Sequence, residues 1–513
     1  MCISVHQLCY VHADKEPLFQ DINLTVNKGQ RLALVGNNGT GKSTLLRIIE
    51  GSLQPSSGEI ICSSRPYYIP QHFGQFDRLT VAEALGVDDR IKAFHAILEG
   101  DTSVENFISL NDDWNVEERC LSALAFWDLG HLQLSRPMHS LSGGEKTKVF
   151  LSGILVHAPE IILMDEPTNH LDVASREKLY EMVKNGRSTM LIVSHDRMLL
   201  NLLPCICELE RNAITLYGGN FDFYKEQKEL ALTALQNRLG EKKKELRQAC
   251  KLAREVMERK NKMNARSEKY AFKKGISRMA VNTLKDKAEK STVRLGDTHE
   301  EKMVSLQDSI TDLQNAMPGL RGLQTDFNSS NLHIGKILIV AEQINFGYTS
   351  SSLWQFPMDI QVRSGDRIHI SGNNGSGKTT LVKLLLGELE PTVGTIMRTG
   401  FSYLYIDQEC SVIDPRLTVF EQTERFNTGN WAEHELKSIL NRYLFPYDTW
   451  DKGCACLSGG EKIRLLFCCL MIGNNAPDVF ILDEPTNNLD IQSVEIITAA
   501  IKSYSCLLYT SPS

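Results

Sequence analysis

No stretch of this 513-residue chain approaches the roughly 18 consecutive apolar residues that a spanning helix needs. Its first ten residues, Met1 to Tyr10, carry neither a basic n-region nor an apolar h-region, so no secretory signal is expected. Cysteine occurs 13 times, an odd number, and without CxxC spacing; the closest pairs are Cys205/Cys207, Cys454/Cys456 and Cys468/Cys469. That excludes the spacing of zinc and thioredoxin-type sites. Reduced, packing cysteines in the cytoplasm are the expectation. The polar bias of a disordered chain is missing too, since 42% hydrophobic and 23% charged residues are globular proportions. The length leaves room for several domains, each with its own core.

Charge is unevenly spread. The formal net charge is −7, yet between Lys225 and Arg294 stand 21 Lys and Arg against 9 Asp and Glu. From charge alone two readings stand, a polyanionic partner or a solvated helical face.

What is present is repetition. RLALVGNNGTGKSTLL (Arg31 to Leu46) returns as RIHISGNNGSGKTTLV (Arg367 to Val382). LSGGE occurs at Leu141 to Glu145 and again at Leu457 to Glu461. IILMDEPTNHLD (Ile161 to Asp172) is matched by VFILDEPTNNLD (Val479 to Asp490), in the same order. Such a period implies duplicated domains and not a solenoid. Between the halves, Leu232, Leu235, Leu239, Leu246, Ala249, Leu252 and Val256 recur at helical spacing after Asn220, an N-cap candidate. The first helix is expected from about Asn220 to Met263, roughly 65 Å. A polar stretch with Gly275 interrupts it. Met303, Leu306, Ile310, Leu313 and Met317 mark a second helix that Pro318-Gly319 stops. Two such seams predict an antiparallel hairpin.

The repeated loop comprises Gly36, Asn37, Asn38, Gly39, Thr40, Gly41, Lys42, Ser43 and Thr44. Its second copy is Gly372, Asn373, Asn374, Gly375, Ser376, Gly377, Lys378, Thr379 and Thr380. Each follows an apolar strand and opens a helix, the context a phosphate-binding loop requires. Glycines let successive amides face the phosphates, and the helix N-terminus adds positive potential. Lys42 and Lys378 are assigned to the β- and γ-phosphates of ATP, and Ser43 and Thr379 to Mg²⁺. Asp165 and Asp483, at the ends of apolar strands, are the Mg²⁺ carboxylates. Glu166 and Glu484 beside them are the general bases for an attacking water.

A phosphate loop, then LSGGE, then a strand ending in DEPTN resembles the ATP-binding cassette family, over nearly all of both halves. The resemblance implies an α/β chain of two tandem P-loop cassettes that sandwich two ATP molecules head to tail. Ser458, Gly459 and Gly460 would then complete the site built on Lys42, and Ser142, Gly143 and Gly144 the one built on Lys378. Gln71 and Gln408 match the family's loop that senses Mg²⁺ and the γ-phosphate. His195, in LIVSHD, matches its switch histidine. Tyr348 matches the adenine-stacking aromatic; the same offset in the first half falls on His12, with Tyr10 a nearby substitute that needs an irregular strand.

Two departures stand out. The first half holds about 20 extra residues around Ala84 to Trp114, between Gln71 and its signature. At the C-terminus, the spacing from Glu166 to His195 lands on Ser513. No strand is expected after Ile501, and the last eight residues, Cys506 to Ser513, are those that one frame of a transposase sequencing adaptor encodes. A truncated second cassette with a non-native tail is the expectation.

Paired cassettes, no membrane domain, a charged helical linker, EPTNHLD and a one-sided insertion resemble the ABC-F family. That implies an ATPase acting on the ribosome at the tRNA exit site, in translation or in antibiotic protection. The linker would reach toward the peptidyl-transferase centre and the insertion (the arm) would touch the ribosome's flank. The expected layout is a first cassette at 1–224 with an insertion near 84–114, a basic linker at 225–335 and an incomplete second cassette at 336–513. The cassettes would pair within a monomer. A transporter's ATP-binding subunit and a DNA-binding repair ATPase remain alternatives.

Overall fold

Near-continuous apolar runs bounded by glycine order each half of the chain, the pattern of parallel strands covered on both faces. The computed structural model describes residues 2–11, 17–101, 103–210, 213–273, 301–313, 332–348, 352–372, 375–407, 410–443, 445–473, 477–483 and 507–510. One compact unit comprises Met1–Asp222 and Gly322–Ser513, and another comprises Phe223–Arg321.

The first cassette begins with β1 (Ile3–Val11), β2 (Pro17–Val26), β3 (Arg31–Val35), α1 (Lys42–Glu50), β4 (Ser57–Cys62) and β5 (Tyr67–Ile69). Five helices follow: α2 (Val81–Ala84), α3 (Asp88–Leu98), α4 (Val104–Leu110), α5 (Val116–Phe126) and α6 (Gly143–His157). Then come β6 (Ile161–Asp165), α7 (Val173–Asn185), β7 (Thr189–Val193), α8 (Arg197–Asn201), β8 (Cys205–Glu210) and β9 (Ala213–Tyr217). Strands β2-β1-β4 form an antiparallel sheet; β5-β6-β7-β3-β8-β9 form a six-stranded sheet in which only β9 runs antiparallel. The core lies between the two sheets and α1, where Leu45 and Leu46 are fully buried with Leu32, Leu34, Leu163 and Leu191. Each such side chain contributes about 1.5–3 kcal/mol by leaving water.

The second cassette repeats the plan with β10 (Ile337–Asn345), β11 (Met358–Arg363), β12 (Arg367–Ile370), α11 (Lys378–Leu386), β13 (Val393–Arg398) and β14 (Tyr403–Ile406). Helices α12 (Val419–Arg425), α13 (Glu433–Arg442) and α14 (Gly459–Gly473) lead to β15 (Val479–Asp483) and β16 (Leu507–Thr510). Thr80 and Thr418 cap α2 and α12 with identical capping boxes, so these helices correspond. Among the described residues one α-helix, α13, then stands between α12 and the second signature, whereas α3, α4 and α5 stand between α2 and the first. The extra residues near Ala84 to Trp114 therefore build α3 and α4, which pack on each other.

The C-terminal expectation needs correcting in two points, the missing strand and the place of the histidine's counterpart. Leu507–Thr510 form a strand that pairs in parallel with both β12 and β15, the place β7 takes in the first cassette. Leu-Leu-Tyr-Thr has the β-propensity to complete this ladder whatever its origin. The register also moves the histidine's counterpart. Met190 pairs with Arg31 and Ile162, and Leu507 pairs with Arg367 and Phe480. The residue equivalent to His195 is thus Pro512 and not Ser513; both lie outside the described residues.

Helix α9 (Phe221–Lys273) spans 53 residues, about 80 Å. It runs beyond the expected end at Met263 because Asn264 to Lys273 contain neither glycine nor proline. Leu232, Leu235, Leu246, Ala249 and Val256 line its sheltered side, and Leu239 is buried. Leu252 is 56% exposed, off the seam, and Ala253 takes its turn. A second helix, α10, occupies residues 301–313 and buries Leu306 and Ile310. Cys250 Sγ lies 3.4 Å from Met303 Sδ, which brings α10 back against α9. The turn near Gly275, Met317 and the stop at Pro318-Gly319 lie outside the described residues.

The described cysteines are all free. Burial pushes Cys207 and Cys410 up to about 12 and Cys454 up to about 11, as inert packing thiols should be.

Gly153 on α6 faces Tyr67, whose hydroxyl donates to the Phe150 carbonyl at 2.9 Å. A Cβ at 153 would fall 1.8 Å from the Tyr67 oxygen. Gly153→Ala is expected to destabilise the chain by about 1–3 kcal/mol through overpacking. A lower thermal melting temperature checks it, and Tyr67→Phe should restore part of the loss.

Candidate nucleotide site

Parallel strands bring their C-terminal ends to one edge, and the first site assembles there. The loop Gly36 to Gly41 joins β3 to α1. Gly41 has φ 94°, and a Cβ on it would meet Leu18 at 2.7 Å; Gly377, φ 91°, faces Leu353 at 2.6 Å. Only glycine turns the backbone this way against such a wall. Lys42 is 7% exposed, with its ammonium on the carbonyls of Gly36 (2.7 Å) and Asn37 (3.0 Å). Lys378 does the same with Gly372 at 2.6 Å. Both cations are held over the loop.

Asp165 ends β6, buried. Its carboxylate takes hydrogen bonds from Ser43 and from Tyr68, whose Oη donates to Oδ2 at 3.3 Å. Its Oδ1 is buried with no hydrogen-bond partner. Burial raises the Asp165 pKa, against the Ser43 and Tyr68 hydrogen bonds and the Lys42 charge, which lower it. An orphaned carboxylate oxygen beside a serine hydroxyl is a hard-oxygen set that suits Mg²⁺. In the second cassette Thr379 Oγ1 donates to Asp483 Oδ2 at 3.1 Å, and Tyr405 Oη to the same oxygen at 2.9 Å.

Glu166 follows Asp165 in a left-handed backbone, φ 51°, the kind of strain that gathers at functional sites. Its N–H donates to Val193 at 2.8 Å, which pins it to β7. The His195 N–H donates to Glu166 Oε2 at 3.2 Å, and His195 Nε2 lies 3.3 Å from Oε1. Burial, then the Asp165 charge, pushes the Glu166 carboxyl up to about 8. Lys42, Ser43, Asp165, Glu166 and His195 are thus joined by direct contacts or charge. Gln71 stands just past the end of β5, on the strand that carries Tyr68.

The signature residues open helices. Ser142 caps α6 in a capping box with Glu145, and Gly143 and Gly144 form its first turn. Ser458 and Glu461 are bonded likewise at α14, ahead of Gly459 and Gly460. A Cβ on Gly143 would meet the His170 ring at 3.4 Å, so the His of TNHLD packs on the first signature.

Tyr348 is 69% exposed, with its hydroxyl 3.0 Å from Thr380 Oγ1, so an open ring face stands beside the start of α11. Tyr10 sits where β1 and β2 slip register, and its ring packs toward the core beside Phe19. His12, Asn373, Asn374, Gln408 and Glu484 lie outside the described residues. Sequence reasoning passed over Tyr68, Tyr405 and His170. The signal for the tyrosines was there: each stands three residues before its glutamine, in YYIPQ and YLYIDQ.

The family model described as ABC transporter matches residues 19–169 and 356–487. The chain is 31% identical over 523 residues to ATP-binding protein Uup of Haemophilus influenzae, covering 96% of this chain and 74% of that one. It is 28% identical over 516 residues to ABC transporter F family member 5 of Arabidopsis thaliana, covering 95% and 69%. A chain in the crystal structure of archaeal ribosomal stalk protein aP1 with archaeal ribosome recycling factor aABCE1 shares the fold. The TM-score is 0.56 at 20% identity, over 99% of this chain and 84% of that one.

Proposed function

Because this chain belongs to the ATP-binding cassette family, in the ABC-F branch of paired cassettes, we propose that it is a Mg²⁺-dependent ATPase that acts on the ribosome through its basic helical linker. The observation that carries the ribosome half is α9, a 53-residue helix whose exposed face is rich in Lys and Arg. Ribosomal RNA is the polyanion such a face suits. Among the described residues no helix is long and apolar enough to cross a membrane.

ATP enters over the loop amides, and the Lys42 ammonium exchanges the Gly36 and Asn37 carbonyls for β- and γ-phosphate oxygens. Tyr348 supplies the ring for adenine in the second cassette, and His12 is its counterpart in the first. Ser43, Asp165 and Gln71 would hold Mg²⁺ in one site, and Thr379, Asp483 and Gln408 in the other; when bound, the cation draws off charge that builds on the phosphates. The signature helices present a serine hydroxyl and N-terminal amides to the γ-phosphate of the opposite site. Glu166 takes the proton of the attacking water while His195 holds its carboxylate in place.

The test is sedimentation of the Glu166→Gln, Glu484→Gln chain with ATP against ribosomes, membrane vesicles and duplex DNA. Co-pelleting with ribosomes and not with vesicles is the expected result. Stronger retention on vesicles returns the chain to the transporters, and preference for DNA to the repair ATPases.

A further inference from the structure

We propose that Tyr68 and Tyr405 are positioning residues for the metal-binding carboxylates, each fixing the rotation of its aspartate so that one oxygen faces the cation; this rests on the Mg²⁺-ATP reading above. The same bond is built twice from different sequence. In the first cassette Tyr68 pairs with Leu163 and Ile69 with Met164, one residue short of Asp165. In the second, Tyr405 pairs with Ile481 and Ile406 with Leu482, one residue short of Asp483. This shared parallel register carries the phenol along the sheet to the carboxylate, at 3.3 Å in one site and 2.9 Å in the other.

The neighbouring tyrosine provides the contrast. Tyr67 bonds the Phe150 carbonyl on α6, a packing role, and the second cassette has Leu404 in its place. Of two adjacent tyrosines, only the one that reaches the aspartate is repeated. The consequence is visible at Asp165. A terminal carboxylate torsion is soft, but a phenol on Oδ2 sets it and leaves Oδ1 buried with no protein donor, available to a cation. The same short strand ends two residues before Gln71, so the bond also ties the glutamine's strand to the carboxylate.

The experiment uses the full chain in a Lys378→Ala background, so that one nucleotide site is read. The probe is Mn²⁺, titrated by electron paramagnetic resonance with a non-hydrolysable ATP analogue present. Tyr68→Phe should raise the half-saturating Mn²⁺ concentration about 10-fold, the usual effect of losing a partner behind a metal ligand. Nucleotide affinity in EDTA and the melting temperature should hold. Tyr67→Phe should do the reverse, lowering the melting temperature and leaving the Mn²⁺ curve in place. A Tyr68→Phe curve that overlays its parent overturns the inference, as does an equal loss of nucleotide affinity with and without the cation. If the parent itself binds nucleotide with no dependence on Mn²⁺, the ATPase reading fails and this inference falls with it.

Discussion

With glutamine at positions 166 and 484, ATP turnover is expected to fall by about 10²–10⁴-fold, the range a positioned general base supplies, while nucleotide binding survives. Glu166 qualifies on geometry, since it is buried, follows Asp165 and takes a hydrogen bond from the His195 N–H, with the His195 ring 3.3 Å from its other oxygen. Glutamine keeps the shape and one carbonyl oxygen but cannot take a proton from water. Turnover near the parent rate would remove both glutamates from the base role.

The same substitution has a signature in stability. Burial and the Asp165 charge raise the Glu166 carboxyl from its ordinary 4.5 to about 8. The folded chain therefore holds this proton more tightly than the unfolded chain does. Its contribution is complete below the ordinary value and is lost as pH rises through about 8. Glutamine does not ionise and escapes that loss. Glu166→Gln should melt above its parent at about pH 8, with the gap narrowing toward pH 5, in a scanning fluorimetry series without nucleotide. Parallel curves across that range would show that Glu166 ionises as freely in the fold as outside it.

What sequence could and could not reveal divides by range of interaction. The phosphate loops were legible because strand, glycine turn and helix start are adjacent in the chain. Asp165, Glu166 and Asp483 were legible because each stands at the end of an apolar strand. Tyr68 and Tyr405 were not, although their spacing repeats, because their partners lie 97 and 78 residues away and only the register of β5 on β6, and of β14 on β15, joins them. The strand at Leu507–Thr510 was missed for a related reason. Counting residues from Glu484 found no histidine and carried no sign of a strand, whereas Leu507–Thr510 pair with β12 on one side and β15 on the other. The seam of α9 was read correctly at most positions. Leu252 looked apolar and so looked buried, but the helical period places Ala253 inward and leaves Leu252 in solvent.

That same period arranges the charges, and from it follows a steep salt dependence of ribosome binding. Lys244, Arg247, Lys251 and Arg254 recur at steps of three, four and three residues, and all four are exposed. They therefore form one cationic stripe along roughly 15 Å of helix. Lys242, off this stripe, pairs with Glu245 at 2.8 Å. Each phosphate that the stripe neutralises releases condensed counterions, so the logarithm of affinity falls with the logarithm of salt by about 0.7–0.9 per contact. With further contacts from the rest of the Lys225 to Arg294 segment, the turnover-dead chain should lose about 10³-fold in ribosome affinity between 50 and 200 mM salt. Reversing all four stripe residues to glutamate should weaken binding at every salt concentration and reduce the slope by about three, one contact's share for each lost cation. Ribosome-free hydrolysis should stay within about twofold of the parent, because Lys42, Asp165 and Glu166 belong to the cassette unit and not to the helical one. The measurement is co-sedimentation of parent and reversed chains across a salt series. Binding that is flat with salt and indifferent to the four reversals would make α9 a spacer and remove the physical support for a ribosomal partner.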